Sequence, residues 1–519
     1  MNATPQEQSS IGLNAWVREQ MQGPMKAWPL VKALTAKRVD ARASQYPDAF
    51  RSTLVEVLRD QYAEFPTEHP AHDLIAQLAE PKTATCTAGH QLSLGLGPMY
   101  VHEKISETIT LAKHWEAKGR SVVPIFWMAT EDHDFDEVRH LDFQGERYSY
   151  SSFNQGGPVK DIPASDPLSA IGSLHEDFGF HHAVGDWIQV MRKAYGGGGS
   201  LVDAHRRLIH HWYDGILCLD ASDPRLKVLA IPLFEQEIKE GKLHSTAEEA
   251  SGPWTDRGEE PPVPFRRFPM FYLPDGKPSR QRFDVKGGKF QAGNETWTEA
   301  ELVKELHKHP ERFSPNALMR PIYQEYILPN IAYTGGGGEC AYWLQLHPYL
   351  ESSGMAYGVV RLRQSVTFWP DRAWRHWRQL KQPAKSLTTS VMRRREDWLK
   401  SYGAPKMDDV RLSQSIGAMI DEGYRHYFPQ LQSSVDAWKK RIENEEKRMN
   451  ERVRRLLASQ EDTVWARWKS AHATVWPDGH FQERYWTTLD ALWHVGDTFV
   501  ENLAEKLDVE GPKWWWIHP

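Results

Sequence analysis

Cysteine is scarce. The 519 residues contain three, Cys86, Cys218 and Cys340, far apart in the chain. An odd and dispersed set excludes a disulfide framework and a paired-cysteine zinc site. Long apolar runs are also missing, since nothing approaches the roughly 20 residues a membrane helix needs. The start, MNATPQEQSSIGLNAWVREQ, has no basic stretch leading into an apolar one. These absences predict a cytoplasmic chain with no signal peptide and no membrane partner. A basic excess is lacking too: 63 Lys and Arg stand against 69 Asp and Glu, a formal charge of −6. Surfaces that track phosphates carry the opposite bias, so nucleic acid is not an expected partner. The one tight basic cluster, Arg393 to Arg395, reads as a solvated helix face. No internal repeat is evident.

What is present is a globular composition on a chain too long for one core, so two or three domains are expected. The 22 tryptophans read as wide amphipathic packing residues. Residues 1–80 carry apolar residues at helical spacing. A strand at 83–89 runs into the glycine-containing turn GHQLSLGLGP, then a helix over about 99–118, then the apolar strand 122–129. Strand, turn, helix and strand predict an α/β fold with a parallel sheet, whose ligands sit beyond the carboxyl ends of the strands. Residues 150–310 are rich in breakers and read as insertions, with helices near 200–213 and 226–240 and a buried strand within 215–224. From Ser314 the core pattern returns as helix, strand, glycine turn and helix, with Ser314 as N-cap and Pro315 as first helical residue. A strand over 357–369 would complete the sheet. The boundary is placed at 372/373, giving a core of 1–372 and a helical domain of 373–519. In that domain Val435, Ile442, Met449 and Leu456 recur every seven residues, but the d positions Trp438, Glu445 and Arg452 are mixed. That seam predicts a long helix or a short hairpin, with a turn at 475–486 and a returning helix over 482–507.

The titratable residues concentrate where strands end. In TEDHDFDEVRH (130–140), Asp132, His133 and Asp134 come straight off a buried strand, so they are candidates for proton transfer or, less readily, for a metal. Asp136 and Glu137 suit a helix N-terminus, where the macrodipole favours acids. The turn glycines Gly89, Gly95 and Gly97 admit either a phosphate cradle or a plain tight turn, and Lys104 either assists an anion or is simply exposed. Four consecutive glycines in YTGGGGECAYW, including Gly335 and Gly336, cost conformational entropy and so imply close backbone approach. Glu339 is open to three readings: a base, a substrate-amine partner or a first-turn acid. Cys340 reads as packing. Asn316, Arg320 and Arg363 are candidates for facing the crevice, the arginines as carboxylate or phosphate clamps or as internal ion-pair partners.

Taken in order, TAGHQLSLGLGPMYVHEK, VPIFWMATEDHDFDEV, FSPNALMRPIYQEYILPNIAYTGGGGECAYWLQL, RLRQS and the tail WPDGHFQERYW…LWHVGDTFVENL resemble the bacillithiol biosynthesis cysteine-adding enzymes, the BshC family of cysteine ligases. The resemblance implies a Rossmann-like core with connecting insertions and a C-terminal coiled-coil domain that forms a homodimer. It implies ligation of cysteine to the amine of glucosaminyl-malate, which requires an activated carboxyl and hence ATP or another nucleotide. No metal is implied, and the competing reading from the residues alone is a metal-dependent hydrolase using Asp132, His133 and Asp134. By position, Gln91, Gly97, Pro98, Tyr100 and Lys104 match the family's first turn. Glu131, Asp132, His133, Asp134 and Glu137 match its acidic loop, and Asn316, Arg320, Glu339, Tyr342, Arg363 and Ser365 match the later motifs. The chain departs from the family pattern at His90 (usually glutamine), Gly337 (usually proline), Cys340 (usually aliphatic) and Leu362 (usually proline), which opens a shifted substrate preference.

Overall fold

A computed structural model of the chain describes residues 1–6, 34–275, 279–388, 391, 412–425 and 427–519; the Arg393 to Arg395 cluster lies outside them. Its centre is a five-stranded sheet of β1 (Ala84–His90), β2 (Val122–Met128), β3 (Leu217–Asp220), β4 (Asn330–Gly335) and β5 (Val359–Leu362). The spatial order is β5-β4-β1-β2-β3, and every neighbouring pair is parallel. The chain proceeds outward from β1 to β3 and then returns to the other flank of β1. The reversal lies between β1 and β4, the position at which an open α/β sheet forms its ligand crevice.

The run VVPIFWM is apolar throughout because β2 is covered on both faces. Val123, Ile125 and Trp127 pack into one core cluster, while Phe126 and Met128 pack into the other. The period-two alternation of a strand therefore supplies two cores from one sequence. The crossover helix α1 (Tyr100–Glu116) and α2 (Leu201–Trp212) pack on the second side. α3 (Met319–Ile327) and α4 (Gly337–Ser353) pack on the first.

Three expectations are corrected. Ser314 and Pro315 do not open a helix. Phe313–Pro315 is a short strand, the edge of an antiparallel sheet whose other strands lie between Met270 and Trp297. The cap of α3 is Asn316, whose Oδ1 accepts from the N–H groups of Leu318 and Met319 at 3.0 and 2.9 Å. Residues 357–369 form two strands rather than one: β5 joins the central sheet, while Ser365–Phe368 pairs in parallel with Trp514–His518. The returning helix is three short helices, Gln482–Tyr485, Thr488–His494 and Phe499–Lys506. Thr487, capping through Asp490, restarts the chain after the first break, and Gly496, at φ +87°, follows the second helix.

The domain boundary also shifts. Residues 1–368 and 481–517 form one compact unit, and 369–480 with 518–519 the other. The last segment returns to the first unit because its apolar residues, including Leu489, Leu492, Phe499 and Leu503, are buried there. Within the second unit the heptad region is a single helix, Gln432–Val475. No helix among the described residues is long and apolar enough to cross a membrane.

Candidate active site

A cavity of about 610 Å³ opens at the carboxyl edge of the central sheet. Its wall is assembled from strand ends: His90 and Gln91 after β1, Thr130 to His133 after β2, Ala221 and Ser222 after β3, and Gly336, Gly338 and Glu339 after β4. α1 adds Tyr100 and Lys104, and the start of α3 adds Asn316 and Arg320. The insertion supplies Arg266, Phe271 and Arg280, and Arg484 comes from the returning segment.

Six cationic side chains line this space (Lys104, Arg266, Arg280, Arg320, Arg363, Arg484) against three carboxylates, Glu131, Asp132 and Glu339. The pairing among them decides which are available. Lys104 Nζ is 2.5 Å from Glu339 and donates to the Gly89 carbonyl at 2.9 Å. Arg363 is buried between Glu103, at 2.6 Å, and Glu483. Glu131 is taken by the buried Lys227 at 2.6 Å. Arg280 is fixed by Ser314 Oγ and the Pro315 carbonyl at 3.0 and 2.6 Å, lies over the Phe271 ring, and reaches Asp132 only at 4.0 Å. Arg266, Arg320 and Arg484 form no ion pair among the described residues. Arg320 instead donates to the Tyr342 hydroxyl at 2.9 Å and to Gln324 at 3.1 Å. The cavity thus keeps an uncompensated positive field, which suits an anionic ligand.

Burial would raise the Asp132 carboxyl, but hydrogen bonds from His133 and Gln91 and the Arg280 charge hold it well below the ordinary carboxylate range. Gln91 Nε2 donates to it at 2.9 Å. Glu339 is likewise pushed up by burial and pulled down further by Lys104, the Gly336 N–H and the Tyr333 hydroxyl, to about 2. It closes a capping box on α4, accepting from Gly336 N–H at 2.7 Å. A carboxylate so satisfied accepts protons poorly at neutral pH, so the first-turn reading of Glu339 describes its geometry. His133 Nδ1 lies 3.6 Å from Asp132 Oδ1 and 3.3 Å from Arg280 Nη1, and its ring is exposed. Burial and the Lys104 charge lower His90 to about 4; its Nε2 lies 2.8 Å from the Tyr100 hydroxyl. Arg363 serves two buried carboxylates, and burial together with Glu483 raises Glu103.

Of the residues expected to act, Asp132, His133, Glu339, Gln91, Tyr100, Lys104, Asn316, Arg320, Gly336, Tyr342 and Arg363 all line the cavity. Asp134, Gly97 and Gly335 do not line it. Asp134 is exposed ahead of the short helix Phe135–Val138, whose first turn holds Asp136 and Glu137. Gly97 serves the turn itself: its φ is +68°, and a Cβ there would meet that of Ser93 at 2.9 Å. The amides of two turn glycines are used internally, Gly95 N–H by the Tyr195 hydroxyl and Gly97 N–H by the Leu94 carbonyl, while Gly89 lines the cavity. Gly335 ends β4, and its carbonyl accepts from Arg363 N–H. Lys104 and Arg363, expected as possible anion clamps, are ion-paired within the protein. Cys340 is fully buried, and burial raises its thiol.

Arg266, Arg280, Arg484 and His90 escaped the sequence reading as wall residues, as did the buried Lys227 that pairs with Glu131 behind them. Arg266 and Arg280 lie in breaker-rich segments, PFRRFP and PSRQRF, where no periodicity marks an inward face. The signal available for Arg484 was its position in the family-like tail.

Two family models match this chain: "Bacillithiol biosynthesis BshC, N-terminal Rossmann-like domain" over residues 31–364, and "Bacillithiol biosynthesis BshC, C-terminal coiled-coil domain" over 366–518. The chain belongs to the BshC family. Curated relatives match along most of their length. That of Flavobacterium johnsoniae is 28% identical over 489 residues, covering 91% of this chain and 90% of the relative. That of Salinibacter ruber is 28% identical, covering 89% and 87%, and that of Bacillus cereus 26% identical, covering 88% of each. All three carry the name "Putative cysteine ligase BshC". Membership of this family gives the hydrolase reading no support. Among the described residues, Asp132, His133 and Asp134 also do not converge as a metal-ligating trio.

Proposed function

We propose that this BshC-family chain is a ligase of bacillithiol biosynthesis that joins the carboxyl of cysteine to the amine of glucosaminyl-malate. The observation that carries the reading is the set of arginines without carboxylate partners, Arg266, Arg320 and Arg484, in a cavity at the sheet's switch point. A malate half with two carboxylates, or a transferred phosphate, supplies the missing anions.

Amide formation from a free carboxylate is uphill in water, so the cysteine carboxyl is first activated by ATP or another nucleotide. The amine nitrogen then attacks the activated carbonyl carbon, the phosphate or nucleotide departs with the bonding electrons, and the nitrogen gives up a proton. His133 receives that proton. In the tautomer with the hydrogen on Nδ1, which turns toward the ionised Asp132 in place of accepting from Arg280, the Nε2 lone pair acts as base. The first turn of α4 faces the cavity through Gly338, and its amide groups favour an anion there. Lys104 and Glu339 hold that turn in place.

Two finer readings belong with this one. The chain acts in the cytoplasm, where free thiols are maintained. It is a homodimer through its C-terminal helices; exposed Met419, Tyr427, Trp438 and Met449 on that unit support this, and sedimentation analysis giving a dimer mass tests it. The function is tested by incubating purified protein with cysteine, glucosaminyl-malate and ATP. Release of bacillithiol with matching ATP consumption is expected. Binding of glucosaminyl-malate with no turnover under any nucleotide would defeat the reading.

A further inference from the structure

At the opposite end of β3 from the cavity, the segments before that strand and before the helix Pro70–Ala79 bring together His69, His210 and Asp214. Among the described residues this is the one group in which at least three His, Cys, Asp or Glu side chains each offer a ligand atom within 4.8 Å of the others. His69 Nε2 lies 4.0 Å from Asp214 Oδ1, and the two imidazole centroids are 4.7 Å apart and perpendicular. His210 is only 9% exposed, yet its Nδ1 has no hydrogen-bond partner. A buried, unsatisfied ring nitrogen is costly unless something completes it.

We propose that His69, His210 and Asp214 bind one zinc ion, which fastens the helix Pro70–Ala79 to the end of α2. Two imidazoles and a carboxylate are the donor set of zinc rather than of magnesium or calcium, with water as the fourth ligand. The nitrogen of His210 that faces away from the group meets the Tyr62 hydroxyl at 2.8 Å. That oxygen also accepts from Cys218 N–H at 2.6 Å, so it orients the ring as the partners of metal-bound histidines do. The Phe65 ring packs on both imidazoles and restricts water. Metal–ligand bonds of about 2.0–2.2 Å need the donors drawn closer, and the exposed Asp214 carboxylate is able to swing in. Binding through His69 Nε2 places its proton on Nδ1, so the ring gives up its 3.2 Å acceptance from Ala71 N–H.

The role is structural, because Asp214 precedes β3 whereas the cavity residues Ala221 and Ser222 follow it. The test is a titration of chelator-treated, dialysed full-length protein with Co2+, followed by Zn2+. Saturation at one equivalent with tetrahedral d–d absorption, displaced by Zn2+, is expected. Asp214→Ala, at an exposed position that leaves the fold intact by circular dichroism, weakens binding about tenfold or more, at least the loss that ligand partners produce. His69→Gln does the same. Absence of saturable binding, or binding by both variants equal to that of the unaltered chain, would overturn the site.

Discussion

In the proposed mechanism, His133 and Asp132 divide the work at the residue scale. Asp132 is ionised and engaged by Gln91 and Arg280, so its part is to orient rather than to exchange protons. His133→Gln should therefore reduce kcat by about 10²–10⁴-fold, the range of a lost general base, while the KM for glucosaminyl-malate changes little. Asp134→Asn, at an exposed position outside the cavity, should leave both constants near their original values in the same assay. A kcat that falls with Asp134→Asn and not with His133→Gln would transfer the base role to Asp134. The sequence identified this acid-rich stretch but could not separate its members. Asp132, His133 and Asp134 are consecutive, and only the turn leaving β2 determines which of them face inward.

At the scale of elements, the two glycine-bearing turns look alike in sequence and differ in the fold. The first uses positive φ at Gly95 and Gly97 to turn tightly into α1, whereas the second starts α4 against the cavity. Gly97→Ala forces a side chain into the left-handed region against Ser93. It should lower the urea midpoint by an amount equivalent to about 1–3 kcal/mol. Asn316→Ala removes the cap of α3 and, by the same measurement, should cost about 1 kcal/mol. It should also raise KM, since Arg320 stands one turn further on. The parallel sheet was legible because strand, turn, helix and strand follow each other with strong apolar contrast. The split of 357–369 between two sheets was not, since Arg363 and Gln364 are polar residues buried by partners distant in sequence: Glu103, Glu107 and Glu483.

Over the whole molecule, three buried histidines set an acid limit. His102, His205 and His210 are each lowered to about 3 by burial, whereas in the unfolded chain histidine titrates near 6.5. Between those values the unfolded state binds protons that the native state refuses. The stabilisation is therefore complete above about pH 6.5 and is lost as pH falls, by about 1.4 kcal/mol per pH unit for each histidine. Urea midpoints recorded from pH 7 down to pH 4 should fall steeply; a flat profile would contradict the neutral buried rings. The division into a core and a helical unit was legible from the change in pattern near residue 372, but the return of 481–517 to the core was not. Nothing local in those short helices names the surface that buries them.

In the proposed function, the free arginines of the cavity receive an anionic amine acceptor for cysteine ligation. Its most direct test is the steady-state rate of bacillithiol formation by the unaltered chain and by Arg320→Ala across glucosaminyl-malate concentrations. Product is expected from the unaltered chain, with a KM raised about tenfold or more in the variant, the loss of one charge-assisted hydrogen bond. An unchanged KM, or a folded and substrate-binding chain that forms no product, would contradict it.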